Sequence, residues 1–83
     1  MTDSQTLDAT IALALGLPNG AELGTAAYGH TAGWDSVGHM ELILGIESAF
    51  GISIDSEDVF AMSDYAAVRQ VLRDRYAIQL QAP

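Results

Sequence analysis

The stretch that most constrains the fold of this 83-residue chain is WDSVGHMELILGIESAFGISI, residues 34–54. A helix from Ser36 to Phe50, closed by Gly51, satisfies its periodicity and its stop signal. At roughly 100° per residue, Leu42, Ile43, Ile46 and Phe50 share one arc, the ordinary core-facing stripe. Val37, Met40 and Leu44 fall in a second arc, flanked by Glu41 and Glu47. A helix that packs only into its own core needs one apolar stripe. A second one edged by carboxylates points to a docking face for another protein. The plainer alternative is that the second stripe lies under the long loop that precedes the helix.

Ser36 stands at the head of this second stripe. At a helix N-terminus a phosphodiester is favoured by the dipole and by unpaired amides. Ser36 or Asp35 also suits the bare structural role of N-cap.

Length and composition bound the rest. Eighty-three residues predict one domain spanning 1–83, with 1–4 and 79–83 loose at the ends. Such a domain buries roughly 60% of its unfolded surface, enough for a modest core. The chain has no cysteine, which excludes disulfides and thiolate metal sites; any thioester needs its sulfur from a prosthetic group. No apolar run reaches the roughly 18 residues of a membrane span. No secretory signal pattern opens the chain, so a cytoplasmic protein is expected; a monomer is expected as well. The formal net charge is -8, with 11 acidic residues against Arg69, Arg73 and Arg75 and no lysine. Only Asp74 of the acids lies beyond residue 68, so residues 1–68 hold 10 acids and no fixed cation. That surface repels nucleic acid and anionic membranes and attracts basic patches, although surplus acid also serves plain solubility.

In chain order, Leu7, Ile11, Ala14 and Leu15 predict a first helix over about 5–15, capped by Ser4 or Asp3 and stopped by Gly16 with Pro18 beyond. Residues 17–34 form a long connection rich in glycine, which Leu17, Leu23 and Tyr28 are expected to pin to the core. Trp34 is expected to hold that loop against the second helix, or else to wall the serine site. His30 and His39 are too few for a metal site. His39 falls in the core-facing arc and is expected to pack or to contact the loop. Asp55 or Ser56 caps a short helix, about 56–61, whose Val59 and Phe60, with Met62, close the core. Ser63 or Asp64 caps a last helix, about 64–77, with Tyr65, Val68, Leu72 and Tyr76 on one face.

Asp35-Ser36-Val37, the helix bearing Met40, Glu41, Leu42, Leu44, Ile46 and Glu47, and the ending Phe50-Gly51-Ile52 with Ile54 together resemble the acyl carrier protein family. The resemblance covers about residues 5–77. It implies a small all-α bundle of three longer helices and one short one, with a long first loop and an apolar interior able to shelter an acyl chain. It also implies 4′-phosphopantetheine, taken from coenzyme A by a phosphopantetheinyl transferase and held on Ser36 beside Asp35. The carrier would then present acyl, aminoacyl or polyketide thioesters to a loading ligase, an acyltransferase or a ketosynthase. Val37, Met40, Glu41, Leu44 and Glu47 would meet those partners. Two departures stand out: Val37 replaces the family's usual leucine, and Gly38-His39 replace an acidic and a small polar residue. The phrase WDSVGHM looks more like stand-alone carriers of specialised pathways.

No catalytic set accompanies Ser36. His39, three residues on, supplies no triad without a carboxylate and an oxyanion hole, and no nucleotide or zincin motif occurs. The chain therefore reads as a carrier rather than an enzyme. The competing expectation is an acidic helical interaction module without a cofactor.

Overall fold

Capping chemistry sets where each helix starts. In a computed structural model, which describes residues 2–18 and 22–80, four helices follow in order: α1 (Asp3–Leu15), α2 (Ser36–Phe50), α3 (Ser56–Ala61) and α4 (Tyr65–Tyr76). The helix α1 begins earlier than its apolar spacing predicts. Thr2 and Gln5 form a capping box: the Gln5 amide donates to Thr2 Oγ1 at 3.1 Å, and the Thr2 amide donates to Gln5 Oε1 at 2.9 Å. Residues 2–4 are thus tied into α1, neither Ser4 nor Asp3 is the cap, and Met1 lies outside the described residues. At the other end Gly16 takes a left-handed conformation, φ 71°, and the Leu17 amide closes back on the Ala12 carbonyl at 2.8 Å. Only glycine adopts that conformation without a steric cost. Gly51 ends α2 in the same way, with φ 66°. Asp64 caps α4, accepting from the Ala67 amide at 2.7 Å. Asp55 precedes α3 but makes no side-chain cap bond there.

The core is where the three longer helices meet. Leu7, Ile11 and Leu15 come from α1, Leu42, Ile43 and Ile46 from α2, and Tyr65, Val68 and Leu72 from α4, with Met62 closing one side. Each fully buried aliphatic side chain contributes about 1.5–3 kcal/mol relative to exposure. Phe60 is a correction: it is 83% exposed. The single-and-a-half turns of α3 have only one inward edge, and Val59 and the buried Asp58 occupy it. Phe50 sits at the margin of the core, half-buried. Leu80 also packs against the core, so the loose tail expected from residue 79 does not begin there. Residues 81–83 lie outside the described residues.

The short helix is fixed to α4 by polar groups instead. Asp58 accepts from the Tyr76 hydroxyl at 2.6 Å and from Arg75 Nε at 3.0 Å. Arg75 also reaches Asp55 and Glu57 at 3.8 and 3.6 Å, and the Tyr76 oxygen accepts from the Asp55 amide at 2.9 Å. The Tyr76 hydrogen bond, helped by Arg75 and opposed by burial, holds the Asp58 carboxyl below its ordinary value of 3.8. An acid that titrates lower in the folded than in the unfolded state stabilises fully above its unfolded value and loses that contribution as pH falls through its folded one. Stability of the wild type is therefore expected to fall on acidification from about pH 5 towards pH 2. Asp58→Asn should show a flatter acid limb in urea midpoints measured across that range. Parallel acid limbs for the two proteins would remove Asp58 from this role.

Candidate functional site

The site is assembled by the turn that leads into α2. Asp35, not Ser36, is the N-cap: its Oδ1 accepts from the Gly38 amide at 2.9 Å, and its carbonyl accepts from the His39 amide at 2.8 Å. Ser36 is therefore the first residue of the helix, exposed, and no hydrogen bond engages its hydroxyl among the described residues. The Ser36 hydroxyl is left out of the cap because its neighbour has taken that role.

The preceding loop is anchored at two places. Leu23 and Ala26 are buried, and Ala27 bridges to Asp64 at the head of α4. The Tyr28 amide donates to the Ser63 carbonyl at 2.9 Å and the Tyr65 amide to the Ala26 carbonyl at 3.0 Å. The second anchor is Trp34, 1% exposed. Its indole Nε1–H donates to His39 Nδ1 at 3.0 Å, and the two rings stack 6.2 Å apart at 19°. His39 Nε2 lies 2.8 Å from the Val59 carbonyl on α3. A carbonyl only accepts, so Nε2 carries the proton and Nδ1 offers its lone pair: the hydrogen bonds assign the neutral Nε2–H tautomer. Trp34 thus holds the loop against α2, and His39 links both to α3. Tyr28 does not pin the loop as expected. It stays 45% exposed and meets the His39 ring edge-on at 5.6 Å.

Two glycines make room for this arrangement. A Cβ on Gly38 would collide with the Gly33 carbonyl, and one on Gly33, at φ 84°, with the Leu15 carbonyl. Gly38-His39 therefore has a local reason: the first residue admits the loop and the second clamps it.

The loop does not cover the second stripe of α2. Val37, Met40 and Leu44 are 70%, 53% and 57% exposed and form an apolar ridge descending from Ser36. The flanking glutamates differ in use. Glu47 is half-buried, and its Oε2 accepts from the Ile54 amide at 2.8 Å, bracing the turn after α2. Glu41 is exposed and lines a groove between α1 and α2. Sequence reasoning passed over Leu13, 84% exposed on the α1 side of that groove. Its place off the Leu7, Ile11, Leu15 stripe was the available signal. Among the described residues, no group of three or more metal-ligating side chains is placed to hold an ion, and no helix is long and apolar enough to cross a membrane. Compared with known proteins, the chain matches no family model, no curated protein and no solved structure.

Core and ridge separate by substitution. Ile46→Ala, at a position with no exposure, should cost about 2–5 kcal/mol in chemical denaturation. Met40→Ala and Leu44→Ala should stay within about 1 kcal/mol, since they remove little buried surface. A loss at Met40 equal to that at Ile46 would place the ridge inside the core.

Proposed function

We propose that this chain is a discrete carrier that bears 4′-phosphopantetheine as a phosphodiester on Ser36 and shuttles acyl, aminoacyl or polyketide groups between biosynthetic enzymes in the cytoplasm. The observation that carries this reading is a free serine hydroxyl in the first turn of α2, relieved of capping by Asp35, at the head of an exposed apolar ridge. The positive end of the α2 dipole offsets phosphate charge there. Asp35 brings a negative charge nearby, which its hydrogen bond from the Gly38 amide partly absorbs. When bound, the arm supplies the thiol that this cysteine-free chain lacks.

The chain's own part in such chemistry is presentation. Trp34 and His39 fix the serine-bearing turn against α3, so the attachment point has one orientation. Val37, Met40 and Leu44 offer a phosphopantetheinyl transferase, and later a loading ligase, acyltransferase or ketosynthase, an apolar strip to meet. The acidic surplus of residues 1–68, which hold 10 acids and no Lys or Arg, steers basic partners towards it. Weak, fast encounters of this kind suit a shuttle with several partners. A cofactor-free acidic interaction module would use the same ridge but leaves the exposed Ser36 without a task.

Intact mass distinguishes the two. Incubated with coenzyme A and a broad-specificity phosphopantetheinyl transferase, the wild type should gain one phosphopantetheine and Ser36→Ala nothing. Because Asp35 holds the cap, Ser36→Ala should keep wild-type stability within about 0.5 kcal/mol, so a failure to react is chemical and not a folding defect. Equal modification of both proteins, or of neither, would overturn the assignment.

A further inference from the structure

We propose that the groove between α1 and α2 is a second docking surface, built for a basic amphipathic helical segment of a partner protein and independent of whether Ser36 is loaded. Its floor is apolar for two local reasons. Thr10 turns its hydroxyl back to the Thr6 carbonyl of its own helix at 2.7 Å, a common arrangement for helical threonine, and so leaves its methyl towards α2. Opposite it Gly45 has no side chain, and a Cβ there would stand 2.9 Å from that methyl. The two helices approach closely at this level, and Leu13 and Leu44 rise on either side at 84% and 57% exposure. Neither leucine belongs to the core. Two leucines across a shallow floor of small groups accept apolar side chains spaced i and i+3 or i+4 on an incoming helix.

Charge selects the occupant. Glu41 lines the groove and is exposed. Residues 1–68 carry 10 acids and no Lys or Arg. Of the three arginines on α4, Arg75 is paired with Asp55, Glu57 and Asp58, Arg69 is buried, and Arg73 is exposed. A second copy would bring a net charge of -8 to a face of the same sign, and an anionic bilayer is disfavoured alike. A helix with Leu or Phe towards Leu13 and Leu44, and Arg or Lys in register with Glu41, satisfies both the shape and the charge.

The test is a titration of the ¹⁵N-labelled, unloaded full chain with a synthetic peptide of about 14 residues, four turns. It carries Leu and Arg at helical spacing and Ala elsewhere; a scrambled peptide of the same composition is the control. Amide shifts should concentrate at Thr10, Leu13, Glu41 and Gly45. Leu13→Gln should weaken binding about tenfold. Glu41→Gln should flatten its salt dependence, and Met40→Gln should leave it unchanged. Thermal unfolding checks that each variant is folded. Shifts centred on Val37 and Met40, with the loss falling on Met40→Gln, would move the site to the ridge. Diffuse shifts with equal binding of the scrambled peptide would reduce it to bare charge attraction, and self-association abolished by Leu13→Gln would make the occupant a second copy. Each of these overturns the proposal. None touches the Ser36 assignment, because neither protein nor peptide carries the cofactor.

Discussion

The contact on which the rest of this structure depends is the hydrogen bond from the Trp34 indole to His39, with the His39 bond to the Val59 carbonyl behind it. A buried indole N–H without an acceptor costs about 1–3 kcal/mol, so His39 is what makes burial of Trp34 affordable. Burial of Trp34 in turn seats the loop on the far side of α2 from Met40 and Leu44. Because the loop lies there, the second stripe stays open. Because His39 also grips α3, that short helix is held at its middle from two sides: at Val59 by α2, and at Asp58 by Tyr76 and Arg75 of α4.

Exposing three large apolar side chains on one helix gains a monomeric fold nothing. The cost is tolerable here because the core is complete without them: the opposite arc of α2 joins the core shared with α1 and α4, with Leu42 and Ile46 fully enclosed. The capping pattern follows the same division. Asp35 stabilises the start of α2, Glu47 stabilises the turn after it, and Ser36 carries no structural duty in between. A residue with no structural duty, at the positive end of a helix and at the head of an exposed ridge, is the feature that the carrier reading explains and an inert bundle does not.

Much of this is legible in the sequence. Helical spacing placed α2 and α4 to within a residue, the αL glycines at 16 and 51 marked two ends, and the two arcs of α2 separated buried from exposed. The misses have physical causes. The Thr2–Gln5 box sat outside the apolar pattern that located α1. Hydrophobicity alone places Phe60 in the core, but a six-residue helix has too little inward surface for it. A helical wheel pairs Glu47 with Glu41 because it shows direction and not the loop amide at Ile54 that Glu47 accepts from. Trp34 holding the loop on α2 and His39 meeting it agree with the sequence reading; the further link from His39 to the Val59 carbonyl, 20 residues on, is one that no periodicity encodes.

The clamp is therefore the claim to test first, and the proton position on His39 tests it most directly. Long-range ¹H–¹⁵N correlation spectra of the histidine rings, recorded at mildly alkaline pH where free imidazole is neutral, distinguish the two tautomers. The structure predicts that His39 is a single Nε2–H tautomer with Nδ1 unprotonated, and that the Trp34 indole proton is protected from exchange. An Nδ1–H tautomer, or a His39 ring averaging between forms beside a freely exchanging indole, would contradict it and leave the loop, the ridge and the serine-bearing turn without their common support.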